Sequence, residues 1–174
     1  MIVNHKLATA FLQRYSDFLM FVCAEYVESI SEEEILAGLA IAREIYIRDR
    51  SIFDDFLNAD NRNVEIIDDA IRSLDISHWV YLKDTPKHSL LINVEGEYAC
   101  AVKGLTSPMK AMCGGTGFHL RAGIILLNDH FVCDGIVQEA AEKLDTHQKN
   151  AYYKIFNDIK GKKRFYKRPS QVNN

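Results

Sequence analysis

HWVYL at 78–82 opens the stretch of this chain that decides its fold, residues 78–137. Four more segments of the same character follow it: SLLINV at 89–94, YACAVKGL at 98–105, FHLRAGIILL at 118–127 and HFVCDGIV at 130–137. They are rich in β-branched and aromatic residues, which is typical of strands. Short turns favour antiparallel pairing of successive strands, because a parallel return needs a crossover of about a dozen residues. The stretch therefore predicts an antiparallel meander of about five strands.

Apolar residues at helical spacing flank this stretch on both sides. Before it we expect helices at 4–29, 31–58 and 64–74, the second with a break near Arg50-Ser51. After it, residues 138–159 are expected to be helical. Helices and strands are segregated along the chain, which is typical of an α+β fold.

These segments predict a single α+β domain over residues 1–159. Its N-terminal helices, within residues 1–75, pack on one face of the meander at 77–137, and a C-terminal helix lies within 138–159. With 174 residues and 48% hydrophobic content, the chain has enough apolar material for its own core. Residues 160–174 follow as a basic tail.

The first predicted helix has a broader apolar surface than a single stripe. Phe11, Leu12, Phe18, Met20 and Phe21 surround more than half of its circumference. Such a helix is either buried between layers of its own chain or covered by another molecule. We expect a homodimer formed through this helix. Burial within the chain and binding of a protein partner are the alternatives.

Charge is divided unevenly along the chain, although the formal net charge is only −3. Residues 1–158 carry 15 basic and all 24 acidic side chains, whereas residues 159–174 carry six basic and no acidic ones. The candidate contacts in this tail are Lys160, Lys162, Lys163, Arg164, Phe165, Tyr166, Lys167 and Arg168. Their cations can neutralise phosphates while the two rings stack on unpaired bases, so nucleic acid is a candidate partner. The alternative is a solvated tail that pairs with the acidic body.

The four cysteines indicate the compartment. Cys23, Cys100, Cys113 and Cys133 have neither the spacing of a metal site nor a secretory signal before them. The longest N-terminal apolar run, residues 18–24, is far shorter than the roughly 20 residues that cross a bilayer. We therefore expect a cytoplasmic protein with reduced cysteines and no membrane span.

Candidate catalytic residues lie in and after the segment CGGTG at 113–117. Cys113 as a nucleophile would need His119, His130 or His88 as its base. His130 and Asp134 could perform acid–base work, but four positions along a strand separate them by about 13 Å, which is too far for a direct dyad. Zinc-ligand spacing is absent from the sequence, and we expect neither a metal nor a cofactor.

The glycines at 114, 115 and 117 could bring backbone amides close to an anion. No Lys-Ser or Lys-Thr pair follows them, so the segment matches neither a phosphate-binding P-loop nor a dinucleotide fingerprint. A plain loop is the favoured interpretation.

The run YACAVKGLTSP at 98–108, followed by ILL at 125–127 and VCDGI at 132–136, resembles a family of uncharacterised bacterial proteins. In that family, a strand ending in Lys-Gly-Leu-Thr-Ser-Pro is followed by an apolar strand and by a strand ending in Tyr-Asp-Gly. The resemblance covers about a third of the chain and implies a bacterial cytoplasmic protein whose sheet is the shared unit. The family has no assigned activity, so the resemblance transfers no catalytic residue.

The sequence thus favours a non-catalytic accessory or protein-interaction module. One alternative is a small enzyme with its site near Gly114–Gly117, and another is nucleic-acid contact through the basic tail. A pocket in which Cys113, His119 and Asp134 converge would favour the enzyme.

Overall fold

A computed structural model describes residues 1–27, 35–60, 62, 64–138 and 143–172. The helices are α1 His5–Tyr26, α2 Ile35–Arg48, α3 Ile52–Ala59, α4 Glu65–Arg72, α5 Met109–Met112 and α6 Thr146–Gly161. The strands are β1 Asp75–Asp84, β2 Ser89–Asn93, β3 Ala99–Lys103, β4 Phe118–Leu127, β5 His130–Gln138 and β6 Phe165–Tyr166. The predicted helix start at Ser31 and positions 139–142 of the predicted C-terminal helix lie outside the described residues.

The chain divides into two compact units. Lys6–Ser73 form the helical unit, and Met1–His5 with Leu74–Asn174 form the barrel unit. The α+β class, with N-terminal helices, a sheet and a C-terminal helix, is confirmed. Within the described ranges, no helix combines the length and the apolarity that crossing a bilayer requires.

Aromatic side chains build the core of the helical unit. The ring of Phe18, which has no exposed surface, makes edge-to-face contacts with Tyr46 and Phe53, each with 4.9 Å between centroids. Phe56 lies 5.4 Å from the same ring. Edge-to-face pairs of this kind contribute about 0.5–1.5 kcal/mol beyond their buried area. Much of the broad apolar surface of α1 is therefore core, although Met20 is 50% exposed.

The predicted break near Arg50-Ser51 separates α2 from α3. The Oδ1 atom of Asp49 accepts hydrogen bonds from the backbone N of Ser51, at 3.0 Å, and from its hydroxyl, at 2.6 Å. Such local side-chain bonds offer the backbone an alternative to the helical ladder. One predicted helix therefore becomes two.

Strand pairing closes a ring in the barrel unit. β1 pairs with β2 and β4, β2 also pairs with β3, and β5 joins β4 to β3. Every pair in this ring is antiparallel except β3 with β5. The order β1-β2-β3-β5-β4, with α5 between β3 and β4, is that of an OB-type Greek-key barrel. β6 adds to the free part of β3, again in parallel.

The predicted pure antiparallel meander is wrong, because the sheet is mixed. Three hairpin connections were predicted from their turns, and the positive φ angles of Asn128 and Asp129, 49° and 57°, match the expected β4–β5 turn. The segment between β3 and β4 is longer and contains α5. It carries the chain across the barrel, so β4 pairs with β1 instead of β3.

Strand side chains alternate between two apolar clusters. Trp79 and Tyr81 of β1 and Leu91 of β2 belong to the cluster inside the barrel. Their neighbours face outward and pack under α6: Val80, Leu82, Leu90, Ile92 and Ala99 with Leu144, Phe156 and Ile159. The outer face of β1–β2–β3 is therefore largely covered by the chain's own C-terminal helix.

Candidate anion-binding surface

Basic side chains converge beside the part of the outer face that α6 covers. They come from the β1–β2 turn, the end of β3, the start of β5 and the segment after β6. We call this set the cationic patch: Lys87, His88, Lys103, His130, Lys167 and Arg168. In an OB-type barrel, the outer face of the second and third strands and the turns β1–β2 and β4–β5 form one surface. α6 covers much of that surface here, and the patch lies on the part that α6 leaves open near the two turns.

Strand alternation explains why Lys103 and His130 share a face. Their neighbours Val102 and Phe131 line the barrel interior, so both side chains project outward. The Nζ atom of Lys103 lies 3.1 Å from the Nε2 atom of His130. An ammonium group can only donate, so the imidazole accepts and is neutral in this arrangement. Burial lowers the pKa of His130, and the charge of Lys103 lowers it further.

His88 occupies the other side of the patch. Its ring is half-buried, 6.1 Å from that of Phe165, which belongs to the cluster under α6. Burial lowers the pKa of His88, nearby Lys167 and Lys103 lower it further, and the carboxylate of Asp84 partly opposes them. Two histidines thus lie among lysines on one surface, which indicates a high local density of positive charge.

Two carboxylates border the cationic patch, and both have polar partners. Asp84 accepts hydrogen bonds at Oδ1 from the hydroxyl groups of Tyr81, at 2.6 Å, and Ser89, at 2.7 Å. Asp129 accepts from the backbone N of Ser170 and forms an ion pair with Arg168 at 3.7 Å. The Asp129–Arg168 pair is exposed, so it is weak and open to competition from a phosphate.

The structure places the predicted tail residues in several environments. Phe165 and Tyr166 form β6 and are half-buried, and the Phe165 ring packs edge-to-face against Phe156 at 5.2 Å. Lys162 forms an exposed i,i+4 ion pair with Asp158. Lys160 lies over the Phe156 ring, and Lys163 and Arg164 are exposed. The two aromatic rings therefore support the barrel instead of projecting as stacking platforms.

Two of the predicted catalytic residues, Cys113 and His119, have different neighbours. Cys113 is half-buried, and burial followed by the nearby Asp84 carboxylate raises the pKa of its thiol. His119 packs edge-to-face on Tyr152 of α6 at 5.6 Å. A raised thiol pKa opposes formation of the thiolate that nucleophilic catalysis requires.

His130 and Asp134 are likewise held by different partners. His130 contacts Lys103 in the cationic patch, whereas Asp134 is 1% exposed and accepts a hydrogen bond from the backbone N of Ile136 at 3.0 Å. A Cβ atom at Gly123 would lie 2.5 Å from Oδ2 of Asp134, so the strand requires glycine opposite this carboxylate. The contacts of Asp134 are those of a buried structural group.

The glycine loop is anchored to the barrel. Gly117, with φ of 83°, donates its backbone N to the carbonyl of Tyr81 at 2.9 Å and accepts from the backbone N of Leu144 at 2.8 Å. The side chain of Lys149 packs directly over Gly117, where a Cβ atom would clash with it. Glycine is thus favoured here by backbone conformation, whereas the flexible end of Lys149 could move aside.

The helical unit has a concavity of about 380 Å³. It is lined by Leu57, Asp60, Arg62, Glu65, Asp68, Asp69 and Arg72. Beneath it, Arg14 is 4% exposed and donates to Asp60, to Asp68 at 2.9 Å and to the carbonyl of Arg62 at 2.8 Å. Hydrogen bonds from Arg62 hold the pKa of Asp60 well below its usual range. These paired charges constitute a structural network.

Metal ligands are not assembled in the described parts of the chain, where no three His, Cys, Asp or Glu side chains are placed to hold an ion. Sequence reasoning named His130 as an acid or base and Lys167 and Arg168 as tail contacts. It named His88 only as a possible base for Cys113, and it missed Lys87 and Lys103, although the outward register of Lys103 follows from strand alternation.

No protein-family model, curated protein or solved structure matches the chain. The resemblance to uncharacterised bacterial proteins stays a prediction. The barrel topology and the cationic patch are the features from which function can be argued.

Proposed function

We propose that the protein is a non-catalytic module that binds single-stranded nucleic acid through the cationic patch. The observation that carries the proposal is the position of the patch near the β1–β2 and β4–β5 turns of an OB-type barrel, on the part of the outer surface that α6 leaves open. Barrels of this topology hold oligonucleotides on that surface. The topology alone is an analogy, because one fold supports many functions. The converging cations supply the chemistry that phosphates require.

The charges of the patch suit a site that contacts the phosphate backbone of a nucleic acid. The patch offers four permanent cations, Lys87, Lys103, Lys167 and Arg168, beside two bordering carboxylates. Contacts with about four phosphates of a single strand give a salt slope near −3, so affinity falls roughly 50-fold between 50 and 200 mM salt. Recognition through phosphates discriminates weakly among base sequences.

The test is fluorescence anisotropy with a labelled oligo-dT of about 15 nucleotides, which covers one barrel's site. Lys167→Glu should weaken binding and lower the salt slope, whereas Lys154→Glu makes the same charge change on the exposed side of α6 and should have a smaller effect. Equal losses from both variants would show that only net charge matters. The absence of binding at about 100 μM protein in 50 mM salt, the weak limit of non-specific affinities, would refute the proposal.

A homodimer through α1 remains a separate proposal. Leu12, Met20 and Tyr26 of α1 are 36%, 50% and 49% exposed, which leaves apolar surface for a second copy. Light scattering of the full chain over a range of concentrations tests this, and a concentration-independent monomer mass would exclude it.

A cytoplasmic location is supported by the cysteines. Cys23, Cys100, Cys113 and Cys133 are all free thiols. Free cysteines are expected where glutathione keeps thiols reduced. Fractionation of cells that express the tagged protein would test the location, and recovery in an extracellular or membrane fraction would contradict it.

A further inference from the structure

The hydrogen bond between Lys103 and His130 requires a specific protonation state. With 3.1 Å between Lys103 Nζ and His130 Nε2, the lysine donates and the imidazole nitrogen accepts. A proton on Nε2 would abolish that bond and place two cations side by side. In the absence of an anion, the patch therefore holds His130 in its neutral form.

The charged groups around His130 and His88 also favour the neutral form of each imidazole. Lys103 and Arg168 disfavour the protonated form of His130, and Asp129 opposes them. Lys167, Lys103 and Lys87 disfavour the protonated form of His88, and Asp84 opposes them. Burial is the largest cause of the lowered pKa in each case. Positive neighbours and partial burial thus act together on two rings of one surface.

A bound phosphate opposes the part of this balance that comes from positive charge. Its oxygens accept hydrogen bonds from Lys103, which has three N–H donors, and its negative charge offsets the repulsion between ammonium and imidazolium that follows when Nε2 of His130 takes up a proton and the Lys103–His130 bond is lost. A protonated imidazole then becomes a second donor to the phosphate. Because the two binding events stabilise each other, the coupling must be reciprocal.

We propose that binding of the nucleic-acid phosphates at the cationic patch is coupled to uptake of a proton by His130. The inference rests on the proposed function and assigns its regulation: the module binds single strands more tightly as the surroundings become more acidic. The protons come from solvent, and no bond other than N–H is formed.

The test is anisotropy with the same labelled oligo-dT between pH 5.5 and 8.0 at constant ionic strength. Affinity should rise as pH falls, by at most about tenfold per pH unit for each proton taken up. The salt slope should steepen by about 0.7 when protonated His130 becomes a phosphate contact. His130→Gln should remove most of the pH dependence. His147→Gln changes an exposed histidine at the start of α6 and should leave the profile unchanged.

A second measurement distinguishes proton coupling from a structural role of His130. In the full chain with Lys103→Met, removal of the neighbouring ammonium should move the pKa of His130 upward in an NMR titration, and the pH midpoint of binding should move with it. This variant keeps the histidine, so it remains informative if His130→Gln fails to fold.

The lowered histidine pKa values also predict how the stability of the free protein depends on pH. Each histidine has a lowered pKa when folded, so the unfolded chain takes up the proton first and stability falls as pH drops below the ordinary value of about 6.5. Bound oligo-dT should reduce this loss.

Three outcomes decide between the ideas. Binding that strengthens in acid and loses this response in His130→Gln supports both proposals. Binding whose pH profile is the same in all variants overturns proton coupling and leaves the nucleic-acid proposal intact. No binding at any pH overturns the proposed function itself.

Discussion

Replacing Phe165 with alanine tests whether the basic C-terminal segment belongs to the barrel. Phe165 is half-buried in the cluster under α6, and its ring meets Phe156 edge-to-face at 5.2 Å. Full removal of a buried phenylalanine costs about 3–5 kcal/mol, which includes the loss of partners and the cavity. Partial exposure reduces this to about 2 kcal/mol, with 0.5–1.5 kcal/mol of it from the aromatic pair.

Trp79 provides a specific assay, because it is the only tryptophan and lies inside the barrel, 2% exposed. Urea unfolding followed by its fluorescence reports the barrel unit. With a denaturant slope of about 2 kcal/mol per molar, Phe165→Ala should lower the midpoint by about 1 M. In a double-mutant cycle with Phe156→Ala, the coupling energy should be about 0.5–1.5 kcal/mol.

The matched control is Tyr26→Ala, which removes an aromatic ring that is 49% exposed at the end of α1 in the helical unit. It should lower the urea midpoint reported by Trp79 fluorescence far less than Phe165→Ala does. If Phe165→Ala leaves the midpoint unchanged, the segment is a detached tail and its half-buried packing is not energetically important. In that event the aromatic rings would again be available for stacking on bases.

Two further predictions concern the helical unit and the glycine loop. Arg14→Met should destabilise the helical unit by about 3–5 kcal/mol, because it leaves the carboxylates of Asp60 and Asp68 without their buried cation. Urea unfolding followed by the circular dichroism of the helices measures this change. A loss of less than about 1 kcal/mol would contradict the prediction. Iodoacetamide should modify Cys113 slowly at pH 7 and faster as the solution becomes alkaline, because burial and Asp84 raise the pKa of its thiol. Mass spectrometry locates the modified cysteine, and fast labelling at pH 7 would revive the enzyme alternative.

Local patterns in the sequence predicted the strands of the ring and the hairpin turns between them. Period-two alternation and turn residues act over a few positions, so β1, β2, β4 and β5 could be recognised from their own residues. Partner choice between distant strands has no such local signature. The parallel pairs of β3 with β5 and β6 depend on the path of the intervening chain, and the meander prediction failed there.

Recognition of β6 failed for a related reason. Phe165-Tyr166 is too short for alternation to be visible, and its flanking cations have the composition of a solvated tail. Only the edge of β3 makes this pair of residues a strand. The cationic patch was also out of reach, because Lys103 and Lys167 are far apart in sequence and come near His88 together only in the folded barrel.

Pairing of β3 with strands made much later has a consequence during protein synthesis. A ribosome adds about 5–20 residues per second, so helices within residues 6–73 can form while the sheet is still incomplete. β3 finds β2 at once on one edge, but its other edge waits for Phe131 and then for Phe165. The roughly 60 residues between Lys103 and Phe165 take about 3–12 seconds to emerge. During that interval, the nascent chain presents an apolar strand edge of the kind that recruits other chains. Slower translation of this segment should therefore increase aggregation of newly made protein, even though the finished barrel covers the edge.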